Sequence, residues 1–510
     1  MKDNTRIIIN SIFIYTRLLI VSIVSFITVR YLLSSLGEID FGLYNLIGGI
    51  VILFSFISAS MSQSSQRFIS LSLGKNNQQE LQLRYKTAIL LHLILALIVT
   101  AIIQLGGLLL INHFLDIPTG KHTDALFILA TVTLGTFFTI IRVPYDAILM
   151  AYENILYVSV LQTAYSVLRL IGILLLYLFA NRLYAYAILM LGLSVLYYIA
   201  EFLYIRLKYV QISPKGSLNE IKKEMKSMMG FTGVYIIGAF ATTIRDQGLP
   251  IVLNNVFGVI INASTAIATQ INGIVNQFSS TIGTAIRPQL IKSVGADNKD
   301  RLNQLSFASC KYPSLSVILV SVPLIVSMGF IQNLWLKTVP EYAIQFAQII
   351  LLGAVIQQLT LGLTGGIDAT GKIKTLYYTT AVFKIIVLPI LLFIIKHGGN
   401  PIWAYGLLVI SEIICAAIRC QQAAALRLIN LPLFLKKIIC PIISIFIVLL
   451  FAGMYVWSLI PHNIVTFLTY LIINTIFSLY LFYTLTMTYN EKIQINNLIL
   501  SFKEKYRRIL

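Results

Sequence analysis

A chain of 510 residues that is 58% hydrophobic and only 11% charged cannot hide its apolar surface in a soluble core. Charged residues make up about a quarter of a typical soluble domain. The formal charge of +19 comes from 38 Lys+Arg against 19 Asp+Glu, but the basic residues sit in short gaps between apolar runs, where they set topology and meet anionic phospholipid headgroups; nucleic acid is not the expected partner.

In chain order, the first apolar run, 7–33, is too long for a signal-peptide core of about 7–15 residues and should remain as a span. Windows of about 20 apolar residues place the following spans near 42–62, 87–113, 125–147, 156–180, 183–206, 231–257, 259–285, 310–332, 343–367, 376–396, 401–427, 437–459 and 464–488. That makes fourteen transmembrane helices. The gap after the second carries Arg67, Lys75, Arg84 and Lys86, and the gap after the sixth carries Lys208, Lys215, Lys222, Lys223 and Lys226. The gap after the eighth carries Arg287, Lys292, Lys299 and Arg301, and the tail carries Lys503, Lys505, Arg507 and Arg508. The alternate gaps offer single residues such as Lys121, Arg182, Lys337 and Lys396. The positive-inside rule therefore assigns both termini to the cytoplasm. Cys310, Cys415, Cys420 and Cys440 have no metal-ligand spacing with a histidine and argue against a disulfide framework. No metal site or cofactor is expected, and no phosphate-binding Gly-Lys-Ser/Thr loop occurs.

Internal repetition organises the spans. Gly37 and Gly258, and Gly74 and Gly295, are each 221 positions apart. Ser-Leu-Gly-Lys-Asn-Asn (72–77) parallels Ser-Val-Gly-Ala-Asp-Asn (293–298), and Ala151-Tyr-Glu-Asn-Ile155 parallels Ala369-Thr-Gly-Lys-Ile373. The expected architecture is an all-α polytopic membrane protein with two parallel six-helix lobes and two extra helices. Residues 1–206 form the N-terminal lobe, 207–230 a cytoplasmic connector, 231–427 the C-terminal lobe, and 428–510 helices 13 and 14 with a basic tail. In transporters, repeats of this kind place the substrate path at their interface.

Charges within spans are the strongest functional signal. Arg17, Arg169, Arg245 and Lys384 fall near the middle of helices 1, 5, 7 and 11, with Asp246 on helix 7 and Glu412 on helix 12. Facing lipid, the four cations would cost about 10–14 kcal/mol at roughly 2.5–3.5 kcal/mol each, so they should face a hydrated or paired interior. Arg169 and Lys384 lie on equivalent helices of the two lobes, as do Arg17 and Arg245. Set against Asp246 and Glu412, the four leave two positive charges, which matches the roughly two negative charges of a pyrophosphate diester. Asp246 and Glu412 are the candidates for ion coupling. Arg30, Arg142, Glu201, Arg206 and Arg419 lie nearer helix ends and read as snorkelling residues, although Arg419 shares a face with Glu412. On helix 8, Asn262, Thr265, Thr269, Asn272, Asn276 and Ser279 recur at spacings of three and four, which gives a polar stripe suited to lining a cavity. Gly248 and Pro250 mark a candidate hinge in helix 7, because Pro250 removes the amide that would bond the Asp246 carbonyl.

Four segments resemble the polysaccharide-translocase (O-antigen flippase) branch of the multidrug/oligosaccharidyl-lipid/polysaccharide exporter superfamily. They are Leu36-Gly-Glu-Ile-Asp-Phe-Gly-Leu-Tyr44, Arg67 with Leu71 to Gly74, Pro144-Tyr-Asp-Ala-Ile-Leu-Met-Ala-Tyr152, and Arg287-Pro-Gln-Leu-Ile291. With fourteen spans the likeness runs over nearly the whole chain. It implies a multidrug-and-toxin-extrusion-like pair of six-helix bundles in a bacterial inner membrane, alternately open to either side. Its cargo would be an undecaprenyl-pyrophosphate-linked oligosaccharide for O-antigen or capsule, bound by a cationic cavity that Arg17, Arg169, Arg245 and Lys384 match in type and depth, with a polysaccharide polymerase as a further partner. Three alternatives stay open: a flippase for lipid-linked peptidoglycan precursor, a drug or cation antiporter of the same fold, and a membrane-embedded polymerase. The last needs a catalytic constellation and a sizeable outer loop, and the outer loops here are short.

Overall fold

The computed structural model describes residues 2–493 except 53, 114–116, 118–119, 258, 337–338 and 490. Side chains of residues 2–12 and of some further helix positions, Asn262 among them, also lie outside the described ones, as do Gly258, Lys337 and the basic tail. No strand occurs among the described residues. A backbone in hydrocarbon has to satisfy its own amides and carbonyls, and helices do so within one segment.

The chain runs through α1 (Lys2–Ile52), α2 (Ser55–Gly74), α3 (Gln78–His113), α4 (His122–Ala151), α5 (Ile155–Leu175) and α6 (Arg182–Lys208). It continues through α7 (Leu218–Phe257), α8 (Val259–Gly295), α9 (Lys299–Val326), α10 (Met328–Trp335), α11 (Ala343–Thr370) and α12 (Lys374–Ile385). The last elements are α13 (Val387–Lys396), α14 (Ile402–Ala425), α15 (Leu431–Phe434), α16 (Cys440–Leu459) and α17 (Ile464–Leu485). Within α1 the chain turns at Gly37, whose φ of 76° and ψ of 171° fall in a region open essentially to glycine alone. Twelve helices among the described residues are long and apolar enough to cross a membrane. The expected spans 42–62 and 259–285 are not among these twelve. The helices there, α2 and α8, have the length, but serine, threonine, asparagine and glutamine interrupt their apolar runs.

Large apolar side chains point outward along many of the spans, Phe451 at 66% exposure and Val465 at 73% among them. The interior combines apolar side chains with buried small and polar ones. The chain divides into two compact units, the first comprising Met1–Thr243, Thr284–Arg301 and Asp368–Tyr378, the second Ile244–Gly283, Leu302–Ile367 and Thr379–Leu510. In the first unit α4 packs against α2, α3 and α6. Its Ile128, Leu129 and Ile140 interlock with Ile47 of α1 and Val99 and Ile103 of α3. In the second unit α9 buries Ser306, Ser309, Ser314 and Ser321. Gly362 of α11 lies so close to the Ser309 carbonyl that a Cβ there would overlap it. Lipid tails are as apolar as leucine, so such small-residue contacts, rather than apolar burial, hold membrane helices together.

The two repeats build the same turn twice. Asn76 and Asp297, 221 positions apart, both take a left-handed conformation, with φ of 53° and 50°. The next residues, Asn77 and Asn298, each accept an N–H bond of 3.0 Å, from Glu80 and Arg301 respectively, which caps α3 and α9. Glu153 and Gly371, 218 apart, are likewise both left-handed, with φ of 59° and 82°.

Candidate functional site

Each unit holds a network of charged side chains within its spans. In the first unit Arg17 on α1 donates to the side-chain oxygen of Gln162 on α5. Arg169, further along α5, donates to the Tyr186 hydroxyl on α6 at 3.0 Å, while its Nε is buried without a hydrogen-bond partner. Arg142 and Asp146 stand one turn apart on α4, opposite Tyr197 and Glu201, one turn apart on α6. The Arg142 guanidinium lies 3.9 Å over the Tyr197 ring and 3.7 Å from Glu201. Glu201 is fully buried, and neither of its carboxylate oxygens has a hydrogen-bond partner. Asp146 interacts electrostatically with both Arg142 and Arg17 and so joins the two parts of the network.

In the second unit Arg245 on α7 is 8% exposed and donates to two carboxylates at 2.8 Å, Asp246 from Nε and Glu412 on α14 from Nη1. Arg419, two turns beyond Glu412, returns to its other oxygen at 3.4 Å and to the Thr360 hydroxyl on α11 at 3.3 Å. Glu412 is buried between the two guanidiniums, whereas the Asp246 side chain is 49% exposed. Lys384, half-buried on α12, interacts electrostatically with Arg245, Glu412 and Arg419.

The sequence-predicted cations thus fall into two groups, Arg17 with Arg169 and Arg245 with Lys384. Four members of the networks were not singled out as functional from sequence. Arg142, Glu201 and Arg419 read as helix-end residues, and Asp146 was visible only inside the segment following Pro144. The i, i+4 spacings of 142/146 and 197/201 were the available signal. Counted as side chains, each network sets three cations against two carboxylates: Arg17, Arg142 and Arg169 with Asp146 and Glu201, and Arg245, Lys384 and Arg419 with Asp246 and Glu412. The 218-residue offset also carries Arg142 and Glu201 onto Thr360 and Arg419. The same positions therefore tie the fourth helix of each repeat to the sixth, with the charge moved from one side of the pair to the other.

On α8, Thr265 and Ser279 are buried, Asn272 and Asn276 half-buried and Thr269 exposed. The hydroxyls of Thr265 and Thr269 donate to carbonyls of their own helix, at 3.0 and 2.9 Å. The Asn272 Oδ1 is buried with no hydrogen-bond partner. Asn262 belongs to the side chains that are not described. Helix α7 passes Gly248 and Pro250 without interruption, and a Cβ on Gly248 would come within 2.7 Å of Leu388.

Two helical repeats with appended α16 and α17, carrying charged networks within the spans, define a multi-pass membrane protein of the multidrug and toxin extrusion (MATE) type of fold. The fold matches the outward-facing structure of a multidrug resistance MATE family transporter of the MOP superfamily with a TM-score of 0.71, at 13% identity over 83% of this chain and 96% of that one. It matches a MOP superfamily transporter from Pyrococcus furiosus, described as having a binding pocket of reverse polarity, with a TM-score of 0.69 at 14% identity over 84% and 97%. A eukaryotic MATE transporter gives a TM-score of 0.69 at 12% identity over 86% and 99%. No family model and no curated protein sequence matches the chain.

Proposed function

We propose that the chain is a flippase that moves a polyprenyl-pyrophosphate-linked oligosaccharide, an O-antigen or capsule repeat unit, across a bacterial inner membrane by alternating access. The observation that carries this reading is the pair of networks within the spans, in each of which three cationic side chains meet two carboxylates among the described residues, at a depth where a charge facing lipid costs several kcal/mol. An anionic pyrophosphate headgroup suits such cation-rich networks through charge-assisted hydrogen bonds, and arginine's planar fork suits phosphate oxygens. The sugars cross with the headgroup while the polyprenyl tail stays in lipid. The networks must bind the headgroup more tightly in one state than the other, since equal affinity shifts nothing. Both termini and the basic loops face the cytoplasm on this reading. Glu412 has both oxygens held by arginines, so ion coupling falls to Asp246, which keeps one oxygen and half its surface free for a proton or cation.

A drug or cation antiporter is the second reading. It is favoured by that exposed Asp246 carboxylate and by the MATE transporters among the similar structures. A strain lacking the gene and complemented with Arg17→Ala or Arg245→Ala separates the two. The flippase reading expects surface glycan to disappear at normal protein abundance with drug susceptibility unchanged. Intact glycan with raised drug susceptibility would establish the antiporter.

A further inference from the structure

Two side-chain ties bind the first repeat to the second at their basic-loop ends, one running in each direction. Arg67 of α2 reaches the end of α11, donating from Nε to the Asp368 carbonyl at 2.6 Å and from Nη2 to the Ala369 carbonyl at 3.3 Å. Both are last-turn carbonyls, where the helix's own bonding runs out; the Asp368 carbonyl also accepts from the Gly371 amide at 3.1 Å. Arg67 can come this close because position 371 is glycine: a Cβ on Gly371 would overlap its Nη2. In the other repeat, one turn beyond Pro288, the position 221 residues after Arg67, Lys292 of α8 reaches the end of α4 and bonds Glu153 at 2.6 Å, with Gln289 on the other carboxylate oxygen at 3.2 Å. Glu153 is the residue 218 positions before Gly371, so one half of the arrangement reads a side chain where the other reads bare backbone.

Between these two ties α2 and α8 cross in backbone contact. A Cβ on Gly74 would overlap the Lys292 carbonyl, and one on Gly295 would run into the Leu71 carbonyl and the Gly74 backbone. The glycines 221 positions apart in sequence are therefore each other's neighbours in space. Beside the crossing the Asp368 carboxylate, 2% exposed, is held by Arg287 at 3.2 Å and the Tyr377 hydroxyl at 3.1 Å, and Arg287 donates to Tyr235 at 3.0 Å. All of these residues fall in the first compact unit, which gathers the basic-loop ends of both repeats.

We infer that this is a latch: the reciprocal ties Arg67 to the end of α11 and Lys292 to the end of α4, closed over the Gly74–Gly295 crossing, hold the basic-loop face shut and release together when that face opens. The two ties open as one element, because each runs from a helix of the crossing to the end of a helix in the other repeat, and separating α2 with α4 from α8 with α11 breaks both. The dense backbone contact at the crossing admits no partly open form with the glycines still touching. The latch does not depend on which cargo is carried.

The test places a reporter at Ser64, 1% exposed on α2 with its hydroxyl on the Met228 carbonyl. The four native cysteines are replaced by alanine, Ser64→Cys is introduced, and inverted membrane vesicles are treated with a membrane-impermeant maleimide. Arg67→Ala and Lys292→Gln break the two ties separately. Lys292 is partly exposed, so its neutralisation leaves the core packed. Each variant should speed labelling about tenfold, the shift that follows loss of one charge-assisted hydrogen bond from the closed state. Unchanged labelling in both variants, at parental abundance, overturns the latch, as does a parent that labels as fast as a Lys75→Cys control on the exposed loop. Labelling needs no cargo, so failure of the glycan-export reading leaves this result standing, and unchanged labelling beside intact export removes the latch alone.

Discussion

Glu412 and Asp246 both bind Arg245, but they do so in different surroundings, and the difference should be measurable. Glu412 is 5% exposed and compensates Arg245 and Arg419 together, so its removal leaves two buried guanidiniums short of a counter-charge. Breaking a buried pair from one side costs about 3–5 kcal/mol. A half-exposed pair contributes about 0–1 kcal/mol. Thermal unfolding in detergent should therefore fall well below the parent for Glu412→Ala and stay near it for Asp246→Ala; equal losses would remove the distinction. Sequence reading found Arg17, Arg169, Arg245, Lys384 and Glu412 because a charge in the middle of an apolar run stands out. It passed over Glu201 because position along a run gives depth only when the run's end is known. Helix α6 continues through Arg206 to Lys208, and Glu201 points into the α4 interface rather than to headgroups. Asp146 was hidden for a related reason: it is one turn from Arg142, and the pair is informative only once α4 is seen to face α6.

At the scale of elements, α2 and α8 were the hardest helices to read because hydropathy reports contact with lipid, and the serines of α2 meet protein while the polar residues of α8 range from buried Thr265 and Ser279 to exposed Thr269 and Gln277. Ser64, Ser65, Ser70 and Ser72 of α2 are all essentially buried. The turns were legible because left-handed positions and caps demand particular residues, hence the matching Gly-x-Asx-Asn in both repeats. The end of α17 could not be read in this way, since its anchor lies 180 residues away. Glu491 accepts from Lys311 on α9 at 2.6 Å and from the Tyr312 hydroxyl at 2.9 Å. Burial pushes the Glu491 carboxyl up, but its bonds from Lys311 and the Thr488 amide outweigh that and hold it below the ordinary glutamate range. A depressed carboxyl contributes stability that is complete above its unfolded value and lost as pH falls through the folded one. Hydrogen exchange over residues 486–489 and 491–493, corrected for intrinsic rates, should stay slow at neutral pH and quicken only below the ordinary glutamate value of about 4.3. Glu491→Gln should quicken it at neutral pH. Protection indifferent to the substitution would mean that packing alone holds the segment.

Over the whole molecule, the repeats share turns and a contact between equivalent positions of their fourth and sixth helices, and each carries a network within its spans that sets three cationic side chains against two carboxylates among the described residues. The duplication could be read from three short sequence matches because turn geometry constrains residue type. The charges resisted that reading, since equivalent positions can keep a contact while changing its chemistry, an ion pair at Arg142–Glu201 and a guanidinium–hydroxyl hydrogen bond at Thr360–Arg419. The central claim is that these surplus cations serve an anionic lipid-linked headgroup, and reconstitution tests it most directly. Purified protein in liposomes containing a fluorescent polyprenyl-pyrophosphate-linked oligosaccharide should translocate the label. Arg17→Ala and Arg245→Ala should each slow translocation by about tenfold or more, the effect of losing a charge-assisted hydrogen bond to phosphate. Parental rates in both variants, or transport of a cationic drug with none of the pyrophosphate lipid, would contradict the account.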